Sequence, residues 1–219
     1  MKSDNKKERA YKPKTIEKEA CIFVEGRFDQ IVVELILKNI CSEEVRRNVQ
    51  ILELSGKDNL KNVKKMPNFY KLKAVLVILD RDEDYVATLQ KIDSFFEKLP
   101  KGCQCKLKFI SPPDEALGKE LEDYVIEAIV KHSEDAKLIR ELEKCIYSLV
   151  EKKLTSKKKL GKKLLFTYLL LKDKCSYDGL SLNVNQFQSC IETSLDNFKE
   201  LKAVLKKFIS FIEKNFIKK

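Results

Sequence analysis

The sequence contains little histidine, glycine or proline, and no long apolar run. Among 219 residues there are one histidine, His132, six glycines and five prolines. We interpret His132 as a surface residue at a helix end, which argues against histidine-based metal sites and a Ser-His-Asp triad. So few glycines and prolines argue against long flexible stretches. No apolar stretch approaches the about 18 residues of a transmembrane helix, so we expect no membrane span.

The termini and the cysteines restrict the compartment. Residues 1–18 are polar and basic without an apolar segment, so we interpret them as a flexible arm and not as a signal peptide. The cysteines are odd in number and scattered, which is typical of reduced thiols and predicts a cytoplasmic protein. They are Cys21, Cys41, Cys103, Cys105, Cys145, Cys175 and Cys190. The pair Cys103 and Cys105 has no matching second pair, which argues against a zinc site.

Positive charge is concentrated near the C-terminus. The net charge is +10, of which residues 1–19 carry +3, residues 20–130 carry −2 and residues 131–219 carry +9. A basic surface suits a polyanionic substrate or partner such as DNA or RNA. Lysine greatly outnumbers arginine, so a general lysine bias of the source is an equally good explanation of the excess.

Apolar runs alternate with helical patterns along the first half of the chain. Such strand–helix alternation predicts an α/β fold with a mostly parallel, Rossmann-like sheet of about four strands and helices on both faces. The predicted strands cover residues 20–24, 49–54, 74–79 and 105–110. After Gly118 the pattern becomes helical. We therefore expect a core over residues 19–130 and a helical C-terminal extension over residues 131–219 that packs on it.

Two apolar runs stop abruptly at acidic residues. The first ends at Glu25-Gly26, with Asp29 close behind, and the second at Asp80-Arg81-Asp82. The carboxyl ends of parallel strands form the binding crevice of an open sheet, so these side chains could converge. Carboxylate oxygens are the ligands that Mg²⁺ prefers, and neighbouring carboxylates repel unless a cation neutralises them.

These acidic residues also have simpler explanations. Glu25 could cap the helix that begins near Asp29, and Asp29 itself could be an N-cap or could orient Glu25. Gly26 would permit a positive φ and the close approach of a ligand. Other families place Asp-x-Asp at a strand end, including the haloacid-dehalogenase phosphatases. Those phosphatases need Thr or Val where this chain has Asp84, which argues against them.

The combination of motifs resembles the Toprim domain of topoisomerases, DnaG-type primases and several nucleases. Val24-Glu25-Gly26 and Asp80-Arg81-Asp82 carry the resemblance. A closer likeness is to small stand-alone Toprim-like proteins related to the nuclease domain of overcoming-lysogenization-defect (OLD) proteins. Further segments that carry it are Ser55–Leu60, Pro113-Asp114, Leu121–Asp123 and a late lysine before an apolar helix. The Asp-Pro-Asp-x-x-Gly pattern of many topoisomerases is absent, so strand passage and primer synthesis are not expected.

The resemblance implies roles for particular residues. Glu25, Asp80, Asp82 and Glu122 would hold Mg²⁺ or Mn²⁺, with Asp123 as the alternative to Glu122. Gly26, Asp29 and Asp123 would support these ligands from behind without binding the metal directly. Glu25, Lys57 and Lys162 would be catalytic. Lys57, Lys158, Lys159, Lys162 and Lys163 would contact nucleic acid. From the residues alone, Glu122 could equally be a helix-start acid, Lys57 part of a solvated turn, and Lys157–Lys163 a solvated helix face.

The implied function is metal-dependent phosphodiester chemistry on DNA or RNA, as in a Toprim nuclease. Clustered carboxylates suit a mechanism in which metal ions stabilise the attacking and leaving oxygens. The alternatives are a non-catalytic metal- or nucleic-acid-binding module of a larger complex, and a phosphoesterase acting on small molecules. OLD proteins carry an ATPase domain, and this sequence has no Walker A motif. Any ATPase partner would therefore be a separate protein.

Overall fold

The computed structural model describes residues 14–81, 85–111, 121–132, 135–152, 160–171 and 198–217. Four strands form one parallel sheet: β1 (Ala20–Val24), β2 (Val49–Glu53), β3 (Ala74–Asp80) and β4 (Cys105–Ser111). Their order across the sheet is β2-β1-β3-β4. The predicted α/β class with a parallel sheet of four strands is confirmed, because the long apolar runs form the two central strands.

Helices surround the sheet and continue beyond it. The α-helices are α1 (Arg27–Ile40), α2 (Glu43–Arg47), α3 (Tyr85–Glu97), α4 (Leu121–His132), α5 (Ala136–Glu151), α6 (Leu160–Leu171) and α7 (Lys199–Ile212). A 3-10 helix occupies Lys57–Lys65, a shorter one Phe69–Lys71, and a π-helical turn, Glu213–Ile217, follows α7. The predicted helical C-terminal part is therefore present. No helix in the described ranges is both long enough and apolar enough to span a bilayer.

Side chains of the central strands alternate between two apolar cores, one on each face of the sheet. Ile22 and Leu76 point into the larger core, which α1, α4, α6 and α7 cover. Phe23 and Val77 point into the other core, which the 3-10 helix Lys57–Lys65 and α3 cover. Both faces are thus buried, which explains why β3 is an unbroken run of branched apolar residues.

β4 lies at the edge of the sheet, as its mixed sequence predicts. Its side chains alternate near the start of the strand, where Lys106 and Lys108 are exposed while Cys105 is buried. The lysines reach back to α3: Lys108 binds Asp93 at 2.7 Å, and Lys106 donates to the carbonyl of Phe96. Charged residues on an edge strand oppose pairing with a second chain.

Two local features differ from the sequence expectations. Strand–helix alternation predicts a helix between β2 and β3, and this helix forms as a 3-10 helix, Lys57–Lys65, that ends before Pro67. The end of the expected flexible arm is packed in the fold. Ile16 is fully buried, and its N–H donates to the carbonyl of Pro67 at 3.2 Å. The Gln50 side chain also bonds the backbone of this segment, donating to the carbonyl of Thr15 at 2.9 Å and accepting the N–H of Glu17 at 2.7 Å. Residues 14–18 are therefore held against the sheet by burial and by hydrogen bonds.

Candidate metal centre

Glu25 and Asp80 lie together at the carboxyl edge of the sheet. Glu25 directly follows β1, and Asp80 is the last residue of β3, which pairs with β1 in parallel. The backbone N–H of Asp80 donates to Glu25 Oε2 at 3.2 Å. The structure therefore brings these two residues to one point, although they are 55 positions apart in the sequence.

The strand order makes this point the switch point of the sheet. β1 connects outward to β2 on one side, and the chain then crosses to β3 on the other side of β1. In open α/β sheets a crevice opens where the connections diverge in this way, and ligands bind there. The two carboxylates thus occupy the position at which this class of fold places its ligand.

Backbone hydrogen bonds hold the loops that follow the strands. The N–H of Leu54 donates to the carbonyl of Val24 at 2.8 Å, and the N–H of Gly56 to that of Glu25 at 3.0 Å. These bonds extend the β1–β2 ladder one step past the ends of both strands. The backbone that carries Glu25 is consequently fixed from the β2 side as well as from the Asp80 side.

Asp29 supports the turn after Glu25. It is buried, and its Oδ2 accepts the N–H of Gly26 at 2.8 Å, which is the N3-to-N-cap half of a capping box at the start of α1. The N-cap position is Gly26 and not Asp29. Gly26 has φ −135°, so the positive φ that a glycine permits is not used at this position. A Cβ there would lie 3.7 Å from Asp29 Oδ2, which is an ordinary van der Waals contact, so neither space nor backbone conformation requires glycine at this position.

The donor set fits a hydrated Mg²⁺ ion. Both Glu25 and Asp80 are half-buried, so their carboxylates combine a fixed backbone with access to solvent. Mg²⁺ in phosphoryl-transfer sites is typically held by one or two carboxylates and keeps several waters or phosphate oxygens. Within the described ranges, no three His, Cys, Asp or Glu side chains form a group that could hold a metal. Asp82, the third predicted ligand of this edge, lies outside those ranges.

Glu122 and Asp123 begin α4 and have different surroundings. Glu122 is 3% exposed, and it does not form a three-residue metal-binding group with Glu25 and Asp80. Asp123 contacts the first turn of α6, since a Cβ added at Gly161 would lie 1.9 Å from its Oδ1. A helix N-terminus favours negative charge, which gives Asp123 a part in packing α4 on α6. A metal-binding role for Glu122 stays a prediction.

The predicted lysines divide between two elements. Lys57 is the first residue of the 3-10 helix, directly after Gly56, whose φ of +110° favours glycine. It therefore follows the β2 end of the same sheet edge. Lys162 and Lys163 belong to the first turn of α6, and Lys163 is half-buried. The side chain of Lys162, together with Lys158 and Lys159, lies outside what the structure describes.

Sequence reasoning missed two residues at this edge. Ser111 is 1% exposed at the end of β4, in register with Asp80. Its carbonyl accepts the N–H of Arg81 at 2.6 Å, and the Arg81 guanidinium lies over the Tyr85 ring, 5.3 Å from its centroid. The predicted fourth strand, residues 105–110, stops one residue before Ser111. Its place at the end of the fourth strand is the signal that could have assigned it to the site edge.

One family model matches this chain over residues 19–210, and its description is "Protein of unknown function (DUF3226)". The chain belongs to the DUF3226 family. Among curated proteins, none matches this DUF3226 sequence.

Two solved structures resemble the DUF3226 chain in fold. Both are the C-terminal region of the Xanthomonas campestris pv. campestris OLD protein, one phased with mercury and one with iodine. The first is 12% identical, with 87% of this chain and 99% of that chain covered at a TM-score of 0.42. The second is also 12% identical, with 88% of this chain and 99% of that chain covered at a TM-score of 0.43. The function proposed for this DUF3226 protein therefore rests on its own geometry and motifs.

Proposed function

We propose that this chain carries out Mg²⁺-dependent phosphodiester chemistry on nucleic acid, as a nuclease of the Toprim type. The observation that carries the proposal is the Glu25–Asp80 pair, in which the Asp80 N–H donates to Glu25 Oε2 at 3.2 Å. Two carboxylates held at the switch point of a parallel sheet are placed where such folds bind ligands. The Toprim-like motifs, Glu25-Gly26 and Asp80-Arg81-Asp82, support the same assignment.

The residues at the carboxyl edge of the sheet would have different roles in this reaction. Glu25 and Asp80, with Asp82, would hold the cation, which when bound supplies positive charge that stabilises the phosphoryl oxygens. Asp29 fixes the turn at Gly26 and thereby the direction in which Glu25 leaves β1. Glu25 would also accept a proton from the attacking water, for which its solvent access suits it. Lys57, at the β2 end of the edge, would offset negative charge on the phosphate.

The test is cleavage of a mixed panel of labelled single- and double-stranded DNA and RNA, with Mg²⁺ or Mn²⁺ and with EDTA. We expect metal-dependent cleavage by the wild type and a loss of about 10²-fold or more in Asp80→Ala, because metal binding contributes several kcal/mol to such transition states. Asp93→Ala is the matched control, since Asp93 is an exposed aspartate of α3 that binds Lys108. Equal activity in both variants would refute the role of Asp80.

A non-catalytic metal- or nucleic-acid-binding module is the second candidate. The observation that favours it is that the described residues contain two converging carboxylates but no group of three possible metal ligands. A protein of this kind would bind Mg²⁺ or nucleic acid and cleave no member of the panel. If no member of the panel is cleaved, calorimetric Mg²⁺ titration of the wild type and of Asp80→Ala shows whether this edge binds the cation without catalysis.

A further inference from the structure

A lysine-rich groove lies between the 3-10 helix Lys57–Lys65 and α3, on the face of the sheet opposite α7. It has a volume of about 400 Å³, and Leu60 and Phe95 are among the residues that line it. Five lysines also line it: Lys57, Lys61, Lys64, Lys91 and Lys98. The groove combines an apolar floor with cationic walls, which is a surface for an anionic chain and not for an apolar peptide.

The positive charge of the groove exceeds its negative charge. Asp58 is the acidic residue of the lining, and it binds Lys91 at 2.6 Å. The hydrogen bond and charge of Lys91 hold the pKa of Asp58 below its usual value, so this carboxylate is ionised at neutral pH. With five lysines and one aspartate, the lining keeps a net charge of +4. Gathering like charges in one groove costs free energy, and a bound polyanion offsets that cost.

One end of the groove adjoins the Glu25–Asp80 edge. Lys57 directly follows Gly56, whose N–H donates to the carbonyl of Glu25 at 3.0 Å. On the other wall, Ala87 lies in the first turn of α3 and lines the same groove. From Ala87 to Lys98 the wall runs for about 16 Å at the helical rise per residue. That length matches roughly four to five phosphates at the spacing of one strand.

We propose that this groove binds the phosphate backbone of a nucleic acid strand and directs it to the Glu25–Asp80 pair. Delivery of the strand to the Glu25–Asp80 pair rests on the proposed function, whereas binding of the strand in the groove requires no metal. Lysine ammonium groups contact phosphates as point charges without reading bases, so recognition is independent of sequence. Lys61, Lys64, Lys91 and Lys98 thereby gain a binding role, and Lys57 joins the groove to the site.

The test is fluorescence anisotropy of a labelled single-stranded 20-mer of DNA or RNA, titrated in EDTA at several salt concentrations. The groove variant carries Lys61→Glu, Lys64→Glu and Lys98→Glu. The matched control carries Lys137→Glu, Lys144→Glu and Lys207→Glu, the same change in charge at exposed lysines of α5 and α7. Circular dichroism and the melting temperature check that both variants fold.

We expect the groove variant to bind on the order of tenfold more weakly or worse, with a salt slope lower by about 2, because three phosphate contacts on a single strand are removed. The control should stay within about twofold of the wild type. Equal weakening of both variants would show diffuse attraction to a basic protein and overturn the proposal. So would unchanged binding by the groove variant, and so would no binding by the wild type.

The groove and the catalytic proposal fail in different ways. A wild type that binds through the groove but cleaves nothing refutes the nuclease and leaves the groove established. A wild type that cleaves, together with a groove variant that binds and cleaves equally well, refutes the groove and leaves the nuclease. The EDTA titration and the cleavage panel with metal are independent measurements, so each proposal has its own outcome.

Discussion

At the scale of single residues, Glu25 and Asp80 concentrate negative charge where two strands end. The Asp80 N–H stabilises one oxygen of Glu25, but this neutral donor leaves the negative charge of Glu25 in place. A bound cation removes the repulsion, and binding to the folded state alone raises apparent stability. Charge at this edge is therefore expected to make the stability of the fold depend on divalent metal.

Asp80→Asn tests that expectation. The substitution keeps the backbone N–H that bonds Glu25 and removes one negative charge, so the metal-free protein should melt about 2–4 °C higher, as for a gain of about 1 kcal/mol. Its melting temperature should no longer rise with Mg²⁺. Differential scanning fluorimetry with and without Mg²⁺ makes the measurement. In Asp93→Asn the Mg²⁺ response should persist, and its persistence in Asp80→Asn would place the cation elsewhere.

The buried cysteines are single residues with a measurable chemical consequence. Burial, and to a lesser extent the nearby Cys103, raise the pKa of the Cys21 thiol to about 12, and burial raises that of Cys105 to about 11. The thiolate is the reactive form of cysteine. At pH 8 a thiol reagent should modify the exposed Cys145 readily and leave Cys21 and Cys105 unmodified in the native protein. Peptide mass spectrometry identifies the modified positions.

The same pKa shift predicts a dependence of stability on alkaline pH. The pKa of Cys21 is higher in the folded state than its unfolded value near 9.0, so folding favours the neutral thiol. That contribution is fully present below pH 9 and is lost as pH rises towards about 12. Urea unfolding from pH 8 to 11 should show the decline, with a shallower one in Cys21→Ala. Equal slopes in the two proteins would contradict the prediction.

At the scale of elements, the contact between α4 and α6 depends on one glycine. A Cβ at Gly161 would meet Asp123 Oδ1 at 1.9 Å, well inside contact distance. Gly161→Ala should therefore destabilise the wild type by about 1–2 kcal/mol, because the Asp123 side chain must move. In the Asp123→Ala background the obstacle is gone. There the same substitution should be neutral or stabilising by up to about 1 kcal/mol, since alanine favours helix.

A double-mutant cycle by urea unfolding measures this coupling. The informative result is a change of sign for Gly161→Ala between the two backgrounds. An effect of the same sign and size in both would mean that Asp123 does not limit the approach of α4 to α6. The m-values of all four proteins should agree, because none of the changes alters the area that folding buries.

Elements differ in how well the sequence predicts them, and the reasons are physical. The central strands were located to within about a residue because their apolar runs end at charged residues. The helix α2 was missed because it has one turn and a single buried residue, Val45. Strand–helix alternation predicts a helix after β2, but nine residues are too few for periodicity to separate 3-10 from α-helical geometry. The proximity of Glu25 and Asp80 was predicted from one rule, that the carboxyl ends of parallel strands meet at the same edge of the sheet.

The lysine groove was not predicted because the net charge of a long segment does not show where its lysines lie in the fold. Residues 20–130 have a net charge of −2, which conceals the +4 lining formed by two separate elements. Which lysines share a wall depends on how the 3-10 helix packs against α3, and that packing is a tertiary property. The position of Asp123 against α6 is similar, since the sequence contains no signal that two helices 28 residues apart would touch.

At the scale of the whole molecule, the C-terminal helix belongs to the core of the fold. Five residues of α7 are buried: Leu201, Leu205, Phe208, Ile209 and Ile212. They join the same apolar core as the inward side chains of β1 and β3. The sheet thus has its second face closed by a segment about 90 residues downstream of its last strand, and the stability of the sheet should depend on that segment.

Phe208→Ala tests this dependence. Phe208 is fully buried, so its truncation should cost about 3–5 kcal/mol, a large part of the stability of a domain of this size. Tyr70→Ala is the control, because Tyr70 is 73% exposed and its removal should change stability by less than about 0.5 kcal/mol. Urea unfolding compares the two. A cost below about 1 kcal/mol for Phe208→Ala would show that α7 is an appendage.

The late position of α7 also has a consequence during synthesis of the chain. Once β4 leaves the ribosome, the four strands can pair, but α7 follows β4 by almost 90 residues. At about 5–20 residues per second, the face that α7 covers would wait roughly 5–20 seconds for its closing helix. During that interval a parallel sheet with an uncovered apolar face is a substrate for aggregation or for a chaperone. The nascent chain is therefore most vulnerable after the carboxylate edge has formed and before the fold is closed.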